Sequence, residues 1–198
     1  DGFLQDAYAN VKFLPEFQVQ VGKMKEPVGL ERLQSGANLL FIERGFPTLL
    51  VPNRNVGVEA QGDLFGQKLN YQVGVFNGVP DGGSVDFQAF DTFNLAARVF
   101  ATPFRESSVE ALQGLGFGVA GTYGDLQGAL RSYVSPGQRN IFSYYTGTGA
   151  APNVLADGTQ WRISPQGYWY WGPFGLFGEY VVSSQDVVQS GGGATSGS

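Results

Sequence analysis

In a chain of 198 residues with no cysteine and no histidine, few side chains can do chemistry, and two of the arginines sit in matched settings. Arg32 closes GLER (29–32) and Arg44 lies in IERG (42–45), each directly after a glutamate. A guanidinium is planar, permanently charged and forked, so it can grip an oxyanion at two points; at a low-dielectric constriction each such charge counts for more. The same pattern also suits ion pairs, Glu31 and Glu43 with their arginines pinning the segment to a wall, and both uses stay open. Without cysteine there are no disulfides or thiolates, and without histidine the commonest general base and transition-metal ligand are missing. No calcium-type spacing of carboxylates and no hydrolytic motif occurs, so neither an enzyme nor a cofactor is expected. The net charge of -5 disfavours a nucleic-acid partner while leaving room for small anions at a local cluster of cations.

Both arginines fall within residues 22–54, a connection between two segments that alternate like strands. A linker this long is normally functional or disordered, and this one carries Leu39, Leu40, Phe41, Ile42, Phe46, Leu49 and Leu50, too much apolar surface for disorder. It is therefore expected to fold into the lumen of a barrel and to set the width and charge of a hole. Around it, period-two alternation predicts strands over 5–14, 17–22, 55–64, 70–78, 94–104, 111–123, 141–145, 161–171 and 172–182. Short turns and long loops tend to take turns along the chain, the asymmetry of a membrane barrel. Thirty glycines with 14% aromatic residues suit a wall of tilted strands, and no run of ~18 apolar residues predicts a transmembrane helix.

If the apolar faces meet lipid, parity sends Lys12, Arg98 and Arg162 into the lumen with Asp6, Glu59 and Glu179, giving a wall of mixed sign. Lys23 and Lys25 share the parity of Val19 and Val21; either they reach the interface along their stems or a bulge near Gly22 turns them inward. Gly114, Gly116 and Gly118 leave one face bare for a close-packed inner element or the in-folded loop. Trp161, Trp169, Trp171, Tyr168, Tyr170 and Tyr180 read as an interfacial girdle, with a sugar-stacking surface the other option. Residues 183–198 read as a flexible Gly/Ser-rich loop.

The blocks GKMKEPVGLERL (22–33), FIERGFP (41–47), NYQVGVFNG (70–78), AARVFATPF (96–104) and GPFGLFGEY (172–180), in that order, resemble the phosphate-selective porin O and P family. The resemblance implies an all-β, transmembrane antiparallel barrel of sixteen strands in the outer membrane of a Gram-negative-type bacterium. It further implies a homotrimer whose third loop folds inside and carries cations for anions such as phosphate. On that pattern, anion binding falls on Arg32 and, alongside, Arg44, with Lys23 and Lys25 as further candidates. It also implies about twice this length, so residues 1–198 are expected to be about half of one barrel domain. Two other readings remain: a mainly structural barrel that anchors the envelope or binds partner proteins with little conductance, and a soluble β-sandwich whose apolar face turns inward.

Overall fold

A computed structural model of the chain describes residues 5–84, 92–135, 137–144 and 153–189, together with the backbone of 195–197. Its main element is an antiparallel sheet of ten strands, laid out almost in chain order. Strands β1 (Ala7–Leu14), β2 (Phe17–Met24), β3 (Asn55–Leu64), β4 (Leu69–Asn77), β5 (Phe93–Ala101) and β6 (Leu115–Ala129) form a meander. A small separate hairpin, β7 (Tyr133–Val134) with β8 (Asn140–Phe142), interrupts it before β9 (Val154–Trp171) joins β6. Strands β10 (Phe174–Glu179) and β11 (Val182–Gln189) both pair β9, and β12 (Thr195–Gly197) lies beyond β11. The sheet is not closed among the described residues; β1 has a single neighbour.

Burial is inverted relative to a water-soluble sheet. Across one row of partners run Asn10, Gln20, Glu59, Gly74, Ala96, Thr122, Arg162 and Ser183. The parallel row one step on holds Lys12, Gln18, Gln61, Gln72, Arg98, Ala120 and Ser164. Much of this polar face is covered, while the alternate residues Val58, Val73, Leu95, Val99, Val119, Trp161 and Ile163 stand exposed. An apolar face turned outward with nothing covering it is what a lipid-facing wall requires, and a soluble sandwich packs the opposite way.

Two stretches run longer than alternation alone predicts. Strand β6 continues past Tyr123 to Ala129, and β9 begins at Val154 rather than near 161, because these ends pair with each other in unbroken register. The turn before β6 contains a short helix, α1b, at Glu110–Gln113, where the sequence reads as strand. Residues 183–189 are not loop: β11 occupies them, held by pairing with β9, and 190–194 lie outside the described residues. The gap between β10 and β11 falls opposite Pro165, which lacks an N–H for the ladder. The register does not shift across it, and Tyr180 N still donates to Pro165 O at 3.0 Å.

The bare glycine face of β6 is filled by aromatic rings rather than by the loop. A Cβ on Gly116 would lie 2.7 Å from the Tyr168 ring and 2.8 Å from Phe100, two rings stacked with centroids 5.3 Å apart. Tyr168 and Tyr170 therefore share the polar face with Gln166, whereas Trp161, Trp169 and Trp171 alternate onto the outward face. Of the aromatic residues expected to form a girdle, the three tryptophans and Tyr180, which is 68% exposed, stand on the outward face, and Tyr168 and Tyr170 fall by parity on the polar one.

Candidate functional site

The segment between β2 and β3 leaves the sheet at Lys25, runs through a single helical turn α1a (Leu30–Leu33), two 3-10 turns at Gly36–Asn38 and Phe46–Leu49, and returns at Arg54. Its root packs on the polar face of the sheet. Val28 and Val51 are fully buried with Met24, Phe76, Ala96 and Ala120. Glu26, also without exposure, accepts from the side-chain amides of Asn55 (3.0 Å) and Asn94. Burial raises its pKa to about 7, only partly countered by the positive charge of Arg162 and the Asn55 hydrogen bond. Gly29, at φ 81°, lets the chain turn into α1a where a Cβ would come within 2.9 Å of Val51. Glu179 of β10, expected as a lumen wall charge, stands on the polar face and accepts from Leu30 N at the start of that turn.

Four cations gather around the turn. A helix ends with carbonyls that lack partners, and here cations take them. Lys25 Nζ donates to Leu33 O (3.2 Å) and Gln34 O (2.8 Å), while Arg44 donates to Glu31 O and to Gln34 O (2.9 Å). Arg32 donates to Thr48 O and to Asn53 Oδ1 (3.3 Å), and the same Asn53 oxygen accepts from Arg54 at 3.3 Å. Arg54 also grips Asp6 at two points, 3.0 and 3.1 Å. A cavity of about 510 Å³ is lined by Lys25, Arg32, Arg44 and Arg54 together with Asp6, Ser35 and Asn53.

This arrangement decides between the two uses left open for the arginines in favour of neither alone. Among the described residues, Arg32 and Arg44 make no ion pair; Glu31 turns its carboxylate to Gly45 N at 2.7 Å instead. Their partners are neutral oxygens, which fix geometry without cancelling charge. Burial first, then the crowding of Arg44 and Arg54, lowers the Arg32 pKa to about 10, so it stays charged at neutral pH. Lys25 is lowered by burial and then by the same two arginines.

Lys23 and Lys25 part company. No register shift occurs at Gly22 despite its φ of 130°, so Lys23 keeps the outward parity of Val21, opposite Ala7 and Val56. Lys25 turns inward because β2 has ended at Met24, not because of a bulge. Arg54 escaped the sequence reading, yet the hairpin register could have found it: Met24 pairs with Asn55, which sets Lys25 and Arg54 side by side.

The wall charges are not simply wetted. Lys12 lies on the exposed edge strand, but Arg98 is spread over Gln166, Asn70 and Gln72 with its guanidinium 4.7 Å above the Phe100 ring. Glu59 is buried, accepting from Gln72 at 3.1 Å. Arg162, read from sequence as a lumen charge, is fully covered and paired with Asp81 at 2.7 Å, because residues 78–84 fold over it. Asp81 also accepts from Ser183 (3.0 Å), Gln160 (3.3 Å) and Tyr133 (2.9 Å), and Val79 O accepts from Arg162 (2.8 Å). This second loop joins the first through Asn53 N to Gly83 O at 2.8 Å and Gly82 N to Val51 O at 3.2 Å.

No helix among the described residues is long and apolar enough to cross a membrane, which says nothing of strands, and no group of residues there could hold a metal ion. Neither the comparison with curated proteins nor that with solved structures gives a match. The family model for phosphate-selective porin O and P matches residues 1–194.

Proposed function

We propose that this chain, which belongs to the phosphate-selective porin O and P family, sorts small anions at the four cations of its first long loop. Membership supports the reading of an outer-membrane porin of Gram-negative bacteria, acting as a channel rather than as a catalyst. In this reading the sheet closes with further strands into a barrel of about sixteen, assembled as a trimer. The loop of residues 22–54 lies in the lumen as its constriction, and phosphate is among the solutes passed. The outward tryptophans then meet the lipid interface. The observation that carries the anion reading is the coordination of Lys25, Arg32 and Arg44 by backbone carbonyls, which fixes three positive charges in place with no direct ion pair among the described residues. Fixed charges on a pore lining repel like ions and concentrate opposite ones.

The test is the reversal potential of the full-length protein in planar bilayers under a salt gradient, with and without phosphate. Anion preference with block by phosphate, both reduced in Arg32→Ala, is the expected result. Cation preference would overturn the anion reading. Negligible current would favour the mainly structural barrel, a reading supported by how completely the two loops cover the wall around Arg162.

A further inference from the structure

Arg32 and Arg44 line a second cavity as well. On the side toward the β7–β8 hairpin, a space of about 670 Å³ is bounded by these two arginines, by Arg131 and by Leu39, Ile42 and Leu49. Its chemistry differs from that of the 510 Å³ cavity, whose lining is charged and polar apart from Leu33. Here cations and hydrocarbon face the same volume, with Glu43 the only acid among the described residues of the lining. Ile42 is fully exposed and Leu40 and Phe41 beside it are 57% and 72% exposed. Apolar side chains set in a row against water are costly unless something covers them for part of the time.

We infer that this second cavity is a binding site for organic anions that carry an apolar body, such as an aryl or alkyl phosphate or carboxylate. The inference rests on the anion reading above and refines its substrate class. The charged head meets the fixed positive charges of Arg32 and Arg44 and the remaining forked donors of Arg131, which suit an oxyanion. The apolar body lies against Leu39, Ile42 and Leu49, removing hydrocarbon from water on both partners. A bare inorganic anion uses the first contact and not the second. Arg131 is held ready by donating to Gly82 O at 3.2 Å, which leaves the rest of its guanidinium for the solute. The two cavities meet at Arg32 and Arg44, so an amphiphilic anion passes from a half-apolar station to a polar one without leaving the same pair of charges.

The probes are phenyl phosphate and inorganic phosphate, each titrated as a blocker of chloride current through the full-length protein in planar bilayers. Phenyl phosphate should block at about tenfold lower concentration, the gain from burying part of one ring at ~25 cal/mol per Å². Ile42→Ser and Leu39→Ser should each pull phenyl phosphate back toward phosphate while leaving the phosphate block unchanged. Equal block by both probes in the parent protein overturns the inference and spares the anion reading; absence of block by either probe overturns both. A phenyl preference that survives both serine variants also overturns it, since those side chains would then be facing the opposite wall of the barrel rather than the solute. Because Ile42 is fully exposed, its serine variant is expected to fold, which keeps the comparison readable.

Discussion

Two kinds of arginine line the polar side of this sheet, and they differ in what holds them. Arg162 is enclosed and faces a carboxylate: Asp81 cancels its charge, and Thr122, Val79 and the pairing acid use its donors. Arg32 and Arg44 face carbonyl oxygens, which take their donors and leave their charge. The first arrangement is a bolt between a loop and the wall. The second is a mount that displays a positive charge at a chosen place. A guanidinium's role in a pore is thus read from the charge of its acceptors, not from the number of its hydrogen bonds.

The contrast can be broken most forcefully at Asp81. Asp81→Ala strands a buried guanidinium and should cost about 3–5 kcal/mol in urea unfolding of the protein in lipid vesicles. Replacing Arg162 by Met in the same chain should restore much of the loss; if it does not, Asp81 matters for its other donors rather than for the ion pair. Next, Arg44→Ala should lose both stability, by about 1 kcal/mol for Glu31 O left bare while Lys25 still donates to Gln34 O, and anion selectivity. Arg44→Lys should keep most of the selectivity while losing part of the stability. Selectivity equally lost in both variants would show that geometry, not charge, does the sorting.

A third probe uses pH. The carboxyl of Glu26 titrates near pH 7 in the folded protein, above its ordinary value, so the folded state holds the extra proton between about pH 4.5 and 7. Stability contributed there falls as pH rises through that window and stays low above it. The root of the loop should therefore be held more firmly at pH 5 than at pH 8, by hydrogen exchange of Val28 and Leu30. Glu26→Gln should flatten the dependence, its carbonyl still accepting from Asn55 while Asn94 turns its amide over to meet the new NH₂. The smallest effect belongs to Asp6, whose pair with Arg54 is partly exposed and worth at most ~1 kcal/mol. Asp6→Asn should scarcely change stability and should sharpen anion selectivity, because it removes the acid from the cavity of four cations.

Much of the wall was legible in the residues. Alternation such as Val56, Val58 and Ala60 against Gly57 and Glu59 survives burial in any environment, since a strand has no freedom to place neighbours on the same face. The family blocks were legible as well, and they carry the membrane assignment. What alternation could not supply was the far partner. The ends of β6 and β9 are strands only because each finds the other across some twenty residues of intervening chain, and Arg162 is dry only because Asp81 comes back to meet it. Arg32 and Arg44 were found as candidates, but whether their acceptors would be carboxylates or carbonyls depended on where Glu31 turned, and it turned to Gly45 N.

The contact between the two loops and the wall joins an apolar cluster of Met24, Val28, Val51, Phe76, Ala96 and Ala120 to the buried polar links of Glu26 and Asp81. Because Asn53 and Gly82 tie the loops to each other by backbone hydrogen bonds, a movement of one is expected to carry the other with it. If the two loops narrow the pore as proposed, the expected electrical signature is flicker between two levels with no ladder of intermediate currents, and Asp81→Ala should lengthen the time spent in the larger one.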